Sequence, residues 1–444
     1  MKATPIFRAR GLILAAALGV NVGFTSLAFA QPFFQPPVIV NPDGKVTYLG
    51  TLGGSDSYAN DINDSGQVTG GSRTVDGFLH AFITGPNGVG MTDLGTLGGF
   101  FSRAHGINDA GQVVGTSRTA DGFDHAFITG PNGLGIRDLG TLGGTFSDAR
   151  GINDAGQVVG TSRTADGFLH AFITGPNGMG MTDLGTLGGT ASSPFSYAHG
   201  INDSGQVVGF SRGPAHGSIH AFITGPNGIG MTDLGTLGGR QDYSEAWRIN
   251  DSGQVIGYSY GAENSQYAFI TGPNGMGMTN LHAVANTPEG VVLARANDIN
   301  DSGQVVGYSQ GTFTSGQHAF ITGPNGMGMT DLNAYADLPD WIVLTEAQAI
   351  NNLGQVVSAA TIIPEPASYA LMLAGLGLVG FMARRKKPTD NSITRGCGLK
   401  FGGLYPRPND CGFARHLRQN GGICQLIPDK AVLRLRMYLN VRLT

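Results

Sequence analysis

The chain has 444 residues, 73 of them glycine, three of them cysteine, and a net charge of −4. That balance conceals an asymmetry, because residues 32–361 carry 11 Lys or Arg against 27 Asp or Glu, a net of −16, while the segments before and after are basic. So acidic a region argues against a nucleic-acid partner. With Cys397, Cys411 and Cys424 all near the C-terminal end, it has no disulfide or thiolate–metal support either and must hold together by packing.

Residues 1–30 open with Lys2, Arg8 and Arg10, continue with an apolar run from Gly11 to Leu27, and end in Ala28-Phe29-Ala30. A basic segment, an apolar core and an A-x-A site specify a secretory signal peptide, cut before Gln31. The run is short for a membrane anchor, so the remainder is expected to be exported.

From Val38 onward the chain repeats itself. AFITGPNG begins at Ala81, Ala126, Ala171, Ala221, Ala268 and Ala319, and IN(D/N)xGQV at Ile62, Ile107, Ile152, Ile201, Ile249, Ile299 and Ile350. Successive isoleucines stand 45, 45, 49, 48, 50 and 51 residues apart, a period at which each unit buries its apolar face against its neighbours. Residues 198–237 show one unit: AHGIN, the turn DSG, QVVGFS, a variable loop, HAFITG, the turn PNG, and MTDLGTL. Four short apolar segments between turn residues predict four antiparallel strands, A to D. Both turns suit a three-residue hairpin loop of two right-handed residues and a left-handed Gly. Six full units are preceded by a C–D half (Val38–Gly54) and followed by an A–B half (Ala347–Ala360). Such halves complete each other, so the fold class expected over residues 36–361 is an all-β, seven-bladed β-propeller with four-stranded blades, closed by a split blade that removes the free edges. An open β-solenoid is the rival, and it needs no complementary halves.

In a meander blade the A–B and C–D turns share one face, and the B–C and D–A connections share the other. Here the turns hardly vary and the connections do, so recognition is expected on the connection face, as variable loops on a rigid scaffold. The candidate ligand face comprises Phe195, Tyr197, His216, Tyr243, Trp247, Tyr260, Asn264, Phe313 and Trp341. Aromatic faces beside polar groups suit sugar rings; the bland reading is that these aromatics plug blade junctions. The three GxSxG matches, at Gly209, Gly257 and Gly307, end strand B of a β repeat and lack the strand-to-helix turn of a nucleophile elbow. DxNxSG at Asp61–Gly66 and Asp298–Gly303 lacks the Glu of a calcium loop and reads as a hairpin turn, with weak calcium bridging by the acidic turns left open. The histidines at 80, 125, 170, 220 and 318 open strand C and suit a structural hydrogen bond. Arg73, Arg118 and Arg163 suit pinning of the B–C loop. No catalytic, cofactor-binding or metal-ligating set emerges.

Residues 362–387 contain Pro364-Glu365-Pro366, an uncharged apolar stretch from 367 to 383, and the basic cluster Arg384-Arg385-Lys386-Lys387. The stretch is just long enough for a transmembrane helix with the basic end cytoplasmic. This region resembles the PEP-CTERM sorting signal. The resemblance implies an exosortase-type partner that cuts near Pro364–Pro366 and a transient inner-membrane anchor. It also implies delivery to the surface or exopolysaccharide matrix of a Gram-negative bacterium. The repeats, with HAF at 80–82, resemble the extracellular HAF-repeat family, which implies no particular activity. The basic, cysteine-bearing residues 388–444 depart from the sorting pattern. The function expected is therefore a non-catalytic binding or structural module, without cofactor, acting toward polysaccharide. The alternative is a polysaccharide-active lyase or glycosidase, with carboxylates such as Asp242, Glu245 and Glu263 converging at the axis.

Overall fold

The computed structural model describes residues 37–188, 193–213, 218–262, 265–311, 316–362, 374–378 and 381. The signal peptide with Ala28 and Ala30, the sorting residues Pro364, Glu365, Pro366, Arg384 and Arg385, and residues 388–444 lie outside this set. Two compact units divide the chain at Leu376 and Gly377, and all the described strands fall in the first. Residues 374–378 and 381, inside the expected span, are helical. Among the described residues no helix is long and apolar enough to cross a membrane.

The strands make seven antiparallel four-stranded sheets, the seven blades of a propeller. Blades 1 to 6 occupy residues 53–93, 98–138, 143–183, 196–233, 244–280 and 291–331. Blade 7 takes strands A (Ile342–Ile350) and B (Val356–Ile362) from one end of the ring and strands C (Pro37–Val40) and D (Val46–Tyr48) from the other. Its seam is an antiparallel register of Val38 with Ser358 and Ile39 with Val357. The split blade expected from the two half units is therefore the closure of the ring. A five-residue helix, Leu281–Ala285, follows strand D of blade 5.

The near-invariant turns are explained by bonds between blades. In each IN(D/N)xGQV phrase the Asn side chain donates to the Asn backbone carbonyl of the next blade, from Asn63 to Asn108 O (3.0 Å) round to Asn351 and back to Asn63 O (3.0 Å). The following residue makes a second ring, in which its N–H donates to the next blade's side-chain Oδ1. Asp64, Asp109, Asp154, Asp203, Asp251, Asp301 and Asn352 take part, and Asn352 closes onto Asp64 at 2.8 Å. In six of the seven phrases the Gln reaches the Asn of the PNG turn in the next blade, as from Gln157 to Asn227 (3.2 Å); Gln304, facing the Pro42-Asp43-Gly44 turn of blade 7, does not.

The PNG turn departs from expectation. Its Asn as well as its Gly is left-handed, Asn227 at φ 55° and Gly228 at φ 73°. Asn tolerates that region better than other side-chain-bearing residues, and here it presents Oδ1 to the neighbouring Gln. A Cβ on Gly228 would stand 2.7 Å from Leu184 Cδ2 of the preceding blade, so packing also demands glycine.

The apolar core lies between blades. The Phe of each HAF or YAF triplet (Phe82, Phe127, Phe172, Phe222, Phe269, Phe320) is wholly buried, as Phe222 of blade 4 is against Val159, Ala171 and Ile173 of blade 3. The Ala of the triplet donates its N–H to a buried Ser on strand A of the next blade, as from Ala171 to Ser196 Oγ (2.9 Å). The histidine before it bonds the Asp of strand D in its own blade, with Nδ1–Oδ2 distances of 2.6–2.8 Å at His80, His125, His170, His220 and His318. Blade 5 replaces both partners, with Tyr267 and Asn280. The B–C loops are pinned by Arg73 and Arg163, which donate to Gly77 O and Gly167 O, and by Arg118, which pairs with Asp124.

Candidate functional site: the axial cavity and the loop face

Strand A of each blade lines the axis and runs from the variable D–A connection to the A–B turn. In all seven blades its pairing with strand B shifts register between the third and first residues before the terminal Ile, as between Ala59 and Asp61. A bulge of this kind interrupts the two-residue alternation and re-aims side chains. As a result, residues one, two and four places before the Ile all contribute to the axial wall, while the Ala three places before it is buried in the blade. These three wall positions are the ones that do not repeat from blade to blade.

Toward the loop face the wall encloses a cavity of about 220 Å³, lined by Tyr58, Asn60, Arg103, His105, Arg150, His199, Trp247, Arg248, Arg295, Asn297 and Gln348. Toward the turn face lies a second, of about 200 Å³, walled by the Ile-Asn-Asp phrases of the ring. Arg150, His199 and Arg248 belong to both walls. Six Asp and Asn352 ring the turn-face mouth, where Asn352 donates to Asp64 (3.2 Å) and Asp301 (2.8 Å). Burial, with the neighbouring carboxylates, pushes Asp154 and Asp251 of this ring up. Among the described residues no group of three or more His, Cys, Asp or Glu is arranged to hold a metal ion.

Carboxylates stand behind the arginines. Asp148 bonds Arg150 Nε (2.6 Å), lies 3.1 Å from His105 Nδ1 and accepts the Thr116 hydroxyl. Burial alone would push its carboxyl up, but these partners together hold it well below the usual range. At the waist Asp298 lies 3.6 Å from Arg248 and accepts the Ile350 N–H, while Asp61 accepts the Ile107 N–H. Burial pushes both carboxyls up, against the attraction of Arg248. Burial holds His199 neutral, its ring pushed down to about 3 with Arg150 adding to the effect.

Five of the sequence-predicted ligand-face residues are brought into one place. Phe195 meets Tyr197 edge-on, and Tyr197 stacks on Phe210 at 4.8 Å. His199, two residues further along the same strand, meets Phe210 and stacks on Trp247 of blade 5 at 4.8 Å. Trp247 continues to Tyr258, and Tyr258 to Tyr243 and Tyr260. This ladder spans blades 4 and 5 and runs from the loop edge into the axial cavity. Arg212 lies over Phe195 at 5.3 Å, and Arg295 over Trp247 at 4.1 Å. Tyr243 donates its hydroxyl to the buried Glu245; burial and that bond push the phenol up to about 12, and burial raises Glu245. Trp341 is exposed on the connection into blade 7 and has no part in the ladder. His216, Asn264 and Phe313 lie outside the described residues, as does Glu263. Asp242 pairs with His220 Nε2 at 2.9 Å and Glu245 bonds Tyr243, and neither carboxylate lines the axial cavity on which they were expected to converge.

The axial arginines were missed by sequence reasoning. Their signal was available: they stand at strand-A positions that differ between units whose other positions repeat.

Residues 363–386 match the PEP-CTERM protein-sorting motif. No curated protein matches the chain. Solved structures similar to it include TolB from Acinetobacter baumannii, at TM-score 0.40 and 10% identity over 67% of this chain and 65% of that one. YCF48 bound to D1 peptide is similar at TM-score 0.43 and 11% identity over 74% and 96%, and a prolyl endopeptidase at TM-score 0.46 and 8% identity over 76% and 52%. These are likenesses of fold alone. The chain spans 65% of the TolB chain and about half of the endopeptidase. The sorting motif marks the propeller as a protein exported and sorted to the cell surface, with an exosortase as its processing partner.

Proposed function

We propose that this exported propeller is a non-catalytic binding module of the cell surface or exopolysaccharide matrix, and that its ligand is a polysaccharide met at the loop face. The observation that carries the reading is the aromatic ladder of blades 4 and 5, which leads from the rim of the loop face to a cavity walled by Trp247, amides and arginines. Stacked rings offer flat apolar faces to the C–H side of a sugar, and the amides and guanidinium groups offer hydrogen bonds to its hydroxyls. Pockets that combine apolar walls with a few convergent polar groups are the usual form of a ligand site. The same proposal includes membership of the HAF-repeat family, cleavage near Pro364–Pro366, a transient membrane helix at 367–383, and calcium only as a bridging ion at the acidic turns.

The test is binding of the purified protein to the host's own extracellular polysaccharide, in calcium and then in chelator. Saturable binding that Tyr243→Ala and Tyr260→Ala weaken at least about tenfold supports the reading. A folded protein that binds no glycan overturns it. A polysaccharide lyase is the second reading, favoured by the buried Glu245 and its Tyr243 partner. It requires release of unsaturated product, and Tyr243→Phe would abolish that release.

A further inference from the structure

Of the 11 Lys and Arg in the acidic residues 32–361, four line the axial cavity toward the loop face: Arg103, Arg150, Arg248 and Arg295. Among the described residues no carboxylate lines it. Two of the four have acidic partners, Arg150 with Asp148 and Arg248 with Asp298. Arg103 and Arg295 have no carboxylate within 4.0 Å among the described residues, and the Nε of each is buried without a hydrogen-bond partner there. The Nε1 of Trp247, under Arg295, is equally buried and unpartnered. Buried donors left unpaired are costly, and each calls for an explanation. The three residues that carry these donors line one cavity, in blades 2, 5 and 6, and an acceptor-rich anion entering it would meet their side chains.

The remaining wall narrows the class of anion. Arginine pairs with a planar carboxylate through two parallel N–H bonds. Asn60, Asn297 and Gln348 suit hydroxyls, and Trp247, whose ring stacks on His199 and lies under Arg295, adds an apolar edge to the wall. A volume of about 220 Å³ holds one pyranose ring and not a chain. We propose that the axial cavity binds the uronic acid at the end of an acidic polysaccharide, with its carboxylate on Arg103 and Arg295 and the rest of the chain leaving over the blade 4–5 ladder. This rests on the saccharide-binding reading above and adds to it a charge, a single-residue depth and two named anchors.

The experiment is calorimetric titration of the full chain, and of its R103Q, R295Q and R137Q variants, with three probes: the methyl glycoside of glucuronic acid, methyl glucoside, and acetate. Arg137 sits at the outer edge of blade 2, where it bonds Asn177 O, and serves as the control. The expected result is that the glucuronoside binds more tightly than either other probe. R103Q and R295Q should each weaken it about tenfold or more, with R137Q unchanged and the melting temperatures of all four proteins alike. If a variant melts early, the Lys variant at the same position replaces it; this keeps the charge but not the paired N–H geometry, and an intermediate affinity is expected. Equal binding of glucoside and glucuronoside, indifferent to both arginines, overturns the anionic site and leaves the saccharide reading standing. Acetate binding as tightly as the glucuronoside overturns the sugar assignment. Failure of every probe on the folded protein removes both proposals.

Discussion

The asparagine that precedes each acidic turn residue has every hydrogen-bonding group engaged. In blade 4 Asn202 donates to Gln206 Oε1 (2.9 Å) and Asn250 O (3.1 Å), while its Oδ1 accepts from the Gln206 N–H (2.9 Å) and the Ser204 hydroxyl (2.8 Å). It is buried, so truncation leaves its partners without water. Asn202→Ala is expected to cost about 3 kcal/mol in a urea titration, near the upper end for lost buried hydrogen bonds. Asn202→Asp should cost at least as much, since a carboxylate cannot donate to Asn250 O. Asp298 gives the fold a pH dependence of defined sign. Its carboxyl is pushed up from 3.8 to about 7 by burial, so ionising it is harder in the fold than in the unfolded chain. Its contribution to stability is present below about pH 4 and is lost as pH rises through about 7. Relative to Asp298→Asn, which keeps the shape without the charge, the wild type should therefore lose stability between pH 5 and 8 by on the order of 1 kcal/mol or more. A difference that stays flat, measured as paired urea midpoints across that range, would refute the burial argument. Asp148 has the opposite sign: its stabilisation is present above about pH 4 and lost as pH falls, but it cancels in the difference.

At the scale of the element, a blade is stable only because its neighbour completes it. Phe222 is wholly buried, and half its surroundings belong to blade 3. Phe222→Ala should cost about 3–5 kcal/mol, by urea titration, although every hydrogen bond within blade 4 remains possible. The two turn phrases were legible in the sequence as scaffold, because turn chemistry is local and recurs. What could not be read was why they hardly vary, since the Asn, Asp and Gln bonds run between blades, 45 or more residues apart. The blade 4–5 aromatics were legible as a group but were assigned to exposed loops; Trp247 in fact belongs to strand A and Tyr258 to strand B, and the ladder threads inward. Arg103, Arg150 and Arg295 stand four or two places before the Ile, where alternation alone turns them to the axis; only Arg248 was hidden by the bulge. Strict alternation would turn Arg248, next to Trp247, into the blade, and the substitution of Asp61 by Gly, Arg or Ala in other units then reads as drift in a hairpin. Only the register shift between Ala246 and Arg248 turns both neighbours toward the axis.

The propeller is a ring whose last bond joins residues 288 positions apart, Asn351 to Asn63 O. The closing strand of blade 7 is among the most buried in the chain, with Val38, Ile39 and Val40 at 0–1% exposure, and it lies between Val356–Ala359 on one side and Val46–Tyr48 on the other. Deleting residues 37–48 would expose an unpaired edge on strand B of blade 7, and exposed edges recruit other chains. It would also remove Asn41, which accepts from Gln355 at 2.9 Å. Such a loss exceeds about 5 kcal/mol, a large part of the stability of a typical domain. The expected outcome is a melting temperature lower by roughly 10 °C or more, with concentration-dependent association seen by sedimentation. A circular permutant distinguishes closure from mere loss of sequence. Joining residue 362 to residue 37 by a flexible linker and opening the chain at the exposed Asp166–Gly167 loop keeps all seven blades and both rings of bonds. That protein should remain monomeric and melt within a few degrees of the original, because exposed loop tips tolerate new termini. If the permutant fails while the deletion is tolerated, the split blade is not what holds the ring shut.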